Sequence, residues 1–167
     1  MSDAEDIVEL IPRLRRYARA LAGERSAADD LVQDTLERAW SKLHLYRRGT
    51  DLRAWLFTVM HNVYVNQRRA ARISVPLDEE MPELALPVRE TDTLVLRDLD
   101  AAIRRLPPEQ REVLLLVALE DMSYEVAADT LGVPIGTVMS RLSRAREKLR
   151  AMLSGLPAGG KQLKIVK

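Results

Sequence analysis

Five of the chain's seven aromatic residues, Trp40, Tyr46, Trp55, Phe57 and Tyr64, fall in one stretch that also holds Arg47, Arg48, Arg53, Asn62, Asn66, Arg68 and Arg69. Unpaired nucleic-acid bases need flat surfaces to stack on, amides to read their edges and cations for the backbone, and this stretch supplies all three. Trp40 and Trp55 lie on apolar helical stripes, where a core role explains them better than a base platform does. Tyr46 falls between helices and is the better exposed candidate. Nearer the other end, Thr137 to Met152 carries Arg141, Arg144, Arg146, Lys148 and Arg150 against the single acid Glu147, a balance of +4 on one segment.

At 100° per residue, Val138, Leu142, Ala145 and Leu149 share one face of that segment. Gly136, Thr137, Ser140, Arg144 and Glu147 lie opposite, with Arg141 and Lys148 flanking. The first set docks on a core and the second is left to read or grip a partner. A basic helix near a carboxyl end also suits the helix dipole, and that alone accounts for its charge. The preceding residues favour the first reading: a short helix, then Gly132-Val133-Pro134, then this longer basic helix is the layout that puts a recognition helix into the DNA major groove.

Other chemistry is thinly represented. There is no cysteine, so disulfides, thiolate nucleophiles, iron–sulfur clusters and cysteine-bound zinc are excluded. His44 and His61 are the only histidines, and neither stands in a carboxylate cluster at ligand spacing. Asp29, Asp30, Asp34 and Glu37 resemble a cation site, but Arg38 and Lys42 share their helix at pairing distances, so they read as a solvated or partner-binding face. No catalytic residue, metal or cofactor is expected, and the chain does not read as an enzyme.

The elements that position these residues are helical. A capping box, Ser2-x-x-Glu5, opens a stripe of Ile7, Leu10, Ile11, Leu14, Ala18 and Leu21. Ser26 precedes a second stripe of Leu31, Thr35, Leu36, Ala39, Trp40 and Leu43, and Asp51 a third of Leu52, Trp55, Leu56, Val59, Met60 and Val63. Leu96, Leu99, Ile103 and Leu106 mark a helix stopped by Pro107-Pro108, and another runs from Glu109 to Leu119. Ser123 caps a short helix from Tyr124 to Leu131, and the basic helix spans about Ile135 to Met152. No segment reads as a strand.

Pro76, Pro82 and Pro87 are too closely spaced for a helix to survive between them, which makes 73–91 a linker. Fully extended it spans about 60 Å, and as a flexible coil about 25 Å. Residues 1–72 carry 13 Lys+Arg against 10 Asp+Glu, residues 73–95 carry 1 against 6, and residues 96–167 carry 12 against 9. Two mildly basic blocks thus flank an acidic connector. The expected architecture is all-α: two small helical domains, 1–72 and 92–153, the second with a helix-turn-helix, and a mobile Gly- and Lys-rich tail, 154–167. With 47% hydrophobic and 31% charged residues, an acidic amino terminus and no apolar run near membrane-spanning length, the chain reads as a folded cytoplasmic protein without membrane insertion.

Five ordered motifs carry a resemblance. They are Asp29-Asp-Leu-Val-Gln-Asp-Thr-Leu-Glu-Arg-Ala-Trp40, Leu52-Arg-Ala-Trp-Leu56, Leu106-Pro-Pro-Glu-Gln-Arg-Glu-Val113, Met122-Ser-Tyr-Glu-Val-Ala-Ala128, and Gly132-Val-Pro-Ile-Gly-Thr-Val-Met-Ser-Arg-Leu-Ser-Arg-Ala-Arg-Glu-Lys-Leu149. From about Ile7 to Leu153 the chain resembles the bacterial extracytoplasmic-function (ECF) sigma factors. The resemblance implies a promoter-specificity subunit that binds core RNA polymerase. Its second domain would read the −35 element as duplex, and its first would help melt the −10 element and hold the melted strand.

Residue by residue, the resemblance places Asp30, Gln33, Asp34 and Glu37 on the helix that docks on the clamp of the polymerase's largest subunit. Asn62 matches the position that pockets a base flipped from the non-template strand. Tyr46, Arg47, Arg48, Asn66, Arg68 and Arg69 belong to the surrounding −10 surface. Thr137, Ser140, Arg141 and Arg144 match recognition-helix positions, with Lys148 beside them for the backbone. Met139 departs from the pattern: many relatives carry Lys or Arg there, so a cationic contact is lost at that position. The resemblance also implies control by an anti-sigma factor. A sigma-like decoy that binds an anti-sigma factor without reading promoters would need the docking faces but not Asn62, Arg141 and Arg144. A helix-turn-helix repressor explains only the second block, and a helical enzyme neither.

Overall fold

The computed structural model describes residues 2–74 and 93–154, and among these every regular element is helical. The chain divides into two compact units, one holding α1 to α3 and one holding most of α4 to α7. The expected linker and tail lie outside the described residues, except that Ile73 and Ser74 continue α3 and Ser154 ends α7. Among the described residues, no helix is long and apolar enough to cross a membrane.

In the first unit, α1 (Asp3–Ala22), α2 (Arg25–Ser41) and α3 (Leu52–Ser74) pack pairwise against one another. The capping box forms as the sequence predicts: the Glu5 amide donates to Ser2 Oγ at 3.3 Å and the Ser2 amide to Glu5 Oε2 at 3.1 Å. Gly23, at φ 79°, closes α1 by donating its amide to the Arg19 carbonyl, a left-handed conformation that a side chain would strain. Ile7, Leu14 and Leu21 from α1, Leu31 from α2, and Leu56, Phe57 and Met60 from α3 are fully buried. Each such side chain contributes about 1.5–3 kcal/mol by leaving water. Tyr17 meets Phe57 edge to face at 4.9 Å between ring centroids. Asp51 caps α3 through Oδ1, which accepts from the Ala54 amide at 3.1 Å.

Two expectations fail in α2. The helix begins at Arg25 with Glu24 as its N-cap, so Ser26 lies inside the first turn and caps nothing. Trp40, expected in the core, is 54% exposed. The buried seam of α2 runs through Ala28, Leu31, Val32, Thr35 and Ala39. Trp40 sits about 120° round the helix from the centre of that seam, too far to reach the neighbours.

In the second unit, α7 (Ile135–Ser154) packs on α4 (Thr93–Arg105) and α5 (Pro108–Leu114). Pro108 occupies the first turn of α5, where its missing amide costs nothing. Three carbonyls at the end of α4 converge on one side chain of α5: Arg111 donates to Ile103, Arg104 and Leu106 carbonyls at 3.1, 2.7 and 2.9 Å, and the first of these also accepts from the Leu106 amide at 3.1 Å. The helix expected over 109–119 starts one residue earlier, and its last five residues, Leu115–Leu119, widen into a π-turn. Ser123 caps α6 (Tyr124–Leu131) by accepting from the Val126 amide at 3.1 Å.

Between α6 and α7 the turn has a defined hydrogen-bonding pattern. The Val133 amide donates to the Ala128 carbonyl at 3.1 Å and the Gly132 amide to the Asp129 carbonyl at 3.3 Å, with Gly132 at φ 66°. This nested pair ends a helix abruptly and requires a left-handed residue at that place, which is why a glycine stands there. Pro134 then starts α7, its carbonyl accepting from the Thr137 amide at 3.0 Å.

Candidate nucleic-acid interface

On α7 the expected division of faces is present. Val138, Leu142, Ala145 and Leu149 are buried, while Gly136, Ser140, Arg144, Glu147 and Lys148 are exposed. Thr137 and Arg141 are half-buried at the flank. The Ser140 hydroxyl donates back to the Thr137 carbonyl at 3.1 Å, which leaves its oxygen lone pairs facing outward. A Cβ built on Gly136 meets nothing within 4 Å, so the backbone of the first turn is open to close approach. Such a surface, with small residues at the amino end and cations further along, suits phosphate and base-edge contacts from one rigid element.

The candidate residues of the first unit are spread over a loop and a helix. Tyr46 is half-buried, more enclosed than its place between helices suggested. Its hydroxyl donates to the Thr50 carbonyl at 2.6 Å and its ring lies 5.3 Å from that of Trp55, itself half-buried. Thr50 Oγ1 in turn donates to the Arg47 carbonyl at 2.6 Å, and Gly49 at φ 89° makes the turn between them. Arg47 and Arg48 are exposed, and Arg48 Nε stands 3.1 Å from Asp3 Oδ2, an exposed pair worth little to stability.

Trp55, Asn62, Asn66 and Arg69 recur at seven-, four- and three-residue steps and so share one face of α3. Asn62, Asn66 and Arg69 are exposed along it. The Tyr46–Trp55 contact thus anchors the loop at one end of an amide-bearing ridge, with Asn62 about 10 Å further along the helix axis. Arg68 is half-buried with its guanidinium 5.7 Å from the centroid of the buried Tyr64 ring, an attraction that steadies the cation about 130° round the helix from the ridge. Tyr64 and Phe57 are buried and serve the core.

On α2, Asp30, Gln33, Asp34 and Glu37 are all exposed. Asp34 accepts a 2.6 Å hydrogen bond from Gln67 Nε2, which ties this acidic face to α3. A groove of about 430 Å³ lies there, lined by Asp34, Glu37 and Arg38 from one helix and Val63, Asn66 and Gln67 from the other. Asn66 therefore borders this groove as well as the ridge bearing Asn62. Sequence reasoning did not find the groove, because no periodicity reports the space between two helices. Five large apolar side chains are left exposed, Val8, Trp40, Leu45, Ile135 and Met139, and of these only Met139 stood at a position the sequence marked for contact. Among the described residues, no group of three or more His, Asp or Glu side chains could hold a metal ion.

The chain as a whole is similar to known proteins. Residues 7–61 match the family model described as the Sigma2 domain of PhyR, and residues 96–149 that described as Sigma-70, region 4. Over 151 residues the chain is 39% identical to the ECF RNA polymerase sigma factor EcfG of Rhodopseudomonas palustris, covering 89% of this chain and 83% of that protein. It is 35% identical to the ECF RNA polymerase sigma factor SigL of Mycobacterium tuberculosis, covering 86% and 84%. Among solved structures, the sigma factor RpoE of Bartonella quintana, in complex with the anti-sigma factor NepR, matches with a TM-score of 0.75 at 35% identity, covering 91% of this chain and 96% of that one.

Proposed function

Because the chain belongs to the extracytoplasmic-function (ECF) sigma factors of RNA polymerase, we propose that its two helical units divide promoter recognition between them. The second unit, region 4 over 92–153, reads the −35 element as duplex. There α7 enters the major groove with Thr137, Ser140, Arg141 and Arg144 towards base edges and backbone and Lys148 on a phosphate. The first unit, region 2 over 1–72, takes the −10 element as it opens: Asn62 receives a base turned out of the non-template strand, a transfer that amides and stacking can reward. Tyr46 and the cations Arg47, Arg48, Arg68 and Arg69 hold the surrounding strand, with Asn66 beside them. Asp30, Gln33, Asp34 and Glu37 dock on core polymerase. The residues 73–91 join the two units, and an anti-sigma factor regulates the whole. The protein acts in the cytoplasm, without catalytic activity or cofactor of its own.

The observation that carries this reading is the two-faced α7, four buried apolar residues against an open ridge holding Ser140 and Arg144. One observation favours a second reading, the match of residues 7–61 to a family model described as the Sigma2 domain of PhyR. On that reading the chain is a decoy that captures an anti-sigma factor and leaves promoters unread. Transcription by core polymerase reconstituted with this protein on genomic fragments separates the two. Initiation at specific promoters is expected. Arg144→Ala should weaken use of the duplex element by about 5- to 150-fold, the range of 1–3 kcal/mol for one base contact. Asn62→Ala should slow strand opening, read by permanganate reactivity. Initiation that survives both substitutions unchanged refutes the site assignment, and a wild-type protein that starts no transcript leaves the decoy.

A further inference from the structure

The first turns of α7 carry two large apolar side chains that its buried seam does not use. Ile135 is 42% exposed and Met139 is 52% exposed. These are two of the five large apolar residues found exposed among the described residues, and they stand four positions apart, one turn above the other. The row Ile135, Met139, Ser143 runs beside the row Gly136, Ser140, Arg144, so an apolar strip borders the polar ridge assigned to duplex reading. Ser143 and Ser140 are exposed too, and neither is bulky enough to screen Met139 from a surface laid against the ridge.

We propose that Met139, supported by Ile135, reads the methyl group of a thymine in the major groove and so sets a base preference in the upstream element. This deepens the proposed function and rests on it. The occupant follows from charge: Arg141, Arg144, Lys148 and Arg150 on the same helix favour a polyanion, and the dipole adds positive potential at the turn that bears Ile135 and Met139. Within a polyanionic duplex, the C5 methyl of thymine is the apolar group that the major groove presents. A thioether side chain has three rotatable bonds and polarisable sulfur, so it can settle on a methyl group whose position varies with local helix geometry. A cation at position 139 would instead seek a phosphate or guanine.

The test uses the whole protein bound to core polymerase. A duplex library randomised across the upstream element is selected with wild type, Met139→Ala and Met139→Lys, and each thymine of the wild-type consensus is then replaced by uracil, which removes only the methyl. The wild type should prefer thymine at one position at least and lose about three- to fivefold in binding on uracil substitution there, the worth of one buried methyl. Met139→Ala should lose thymine preference at that position and respond to uracil by less than twofold, while Met139→Lys shifts the preference to another base. Because Met139 is exposed, melting temperatures of the three proteins should agree, which separates a lost contact from a lost fold. Equal uracil sensitivity in wild type and Met139→Ala overturns the inference alone, as does an unchanged consensus accompanied by weakened binding of a protein partner. A holoenzyme that selects no duplex overturns the proposed function as well.

Discussion

The two units place their candidate residues by different means. In the second, every residue assigned to duplex lies on α7, whose orientation is fixed by a continuous buried seam from Val138 to Leu149. In the first, the candidates are divided between a loop closed on itself by Tyr46 and Thr50 and α3, where Asn62, Asn66 and Arg69 share a face and Arg68 stands off it. A duplex has a regular groove that one straight element can follow. An unpaired strand has no fixed shape, and a surface assembled from a loop and a helix can meet it at several angles.

Removing the support of α7 should have the largest effect. Leu142→Ala creates a cavity beneath the recognition face and should cost about 2–5 kcal/mol. Urea denaturation checks this, and duplex recognition should be lost at temperatures where Arg144→Ala still folds. Next comes the α4–α5 junction, where Arg111→Ala takes a donor from three carbonyls, of which only that of Ile103 keeps the Leu106 amide, and should cost about 1–3 kcal/mol. Arg111→Lys should recover only part of it, because a single ammonium cannot fork across three acceptors at the angles a guanidinium reaches. In the first unit, Tyr46→Phe removes one hydrogen bond and should cost about 1 kcal/mol. It should slow strand opening while leaving duplex affinity unchanged, and an equal loss in both assays would break the contrast drawn between the units. The smallest effect is expected from Lys148→Ala, which should lower the slope of log affinity against log salt by about 1 without changing base preference.

How much was legible in the sequence follows the same contrast. The face of α7 could be read because a helix repeats its environment every 3.6 residues and four apolar positions fit that period. Asp51, Ser123 and the Ser2–Glu5 pair announced helix starts, and Gly132 a helix stop, because each solves a local hydrogen-bonding problem with its own side chain or backbone. Ser26 misled because a capping residue two positions inside a helix looks the same in sequence as one at its start. Trp40 misled because a stripe including Leu36 and Trp40 is broader than the seam that α1 and α3 cover. The Arg111 cap, the groove beside Asp34 and the exposed Ile135–Met139 pair depend on what lies across from a residue, which composition and period do not encode. The wide turn at Leu115–Leu119 left no signal either, since five aliphatic residues suit an α-helix equally well.

The short loop ahead of α3 has one further consequence. Tyr46 and Thr50 each spend their hydroxyl on a main-chain carbonyl within the loop, and the Tyr46 ring rests on Trp55. The entropy of ordering these residues is therefore lost when the protein folds, before any strand arrives. On the proposed function, a preorganised loop would leave more of each contact's energy to capture a base that thermal fraying exposes only briefly, and the encounter would be governed by how often the duplex breathes rather than by how fast the protein rearranges.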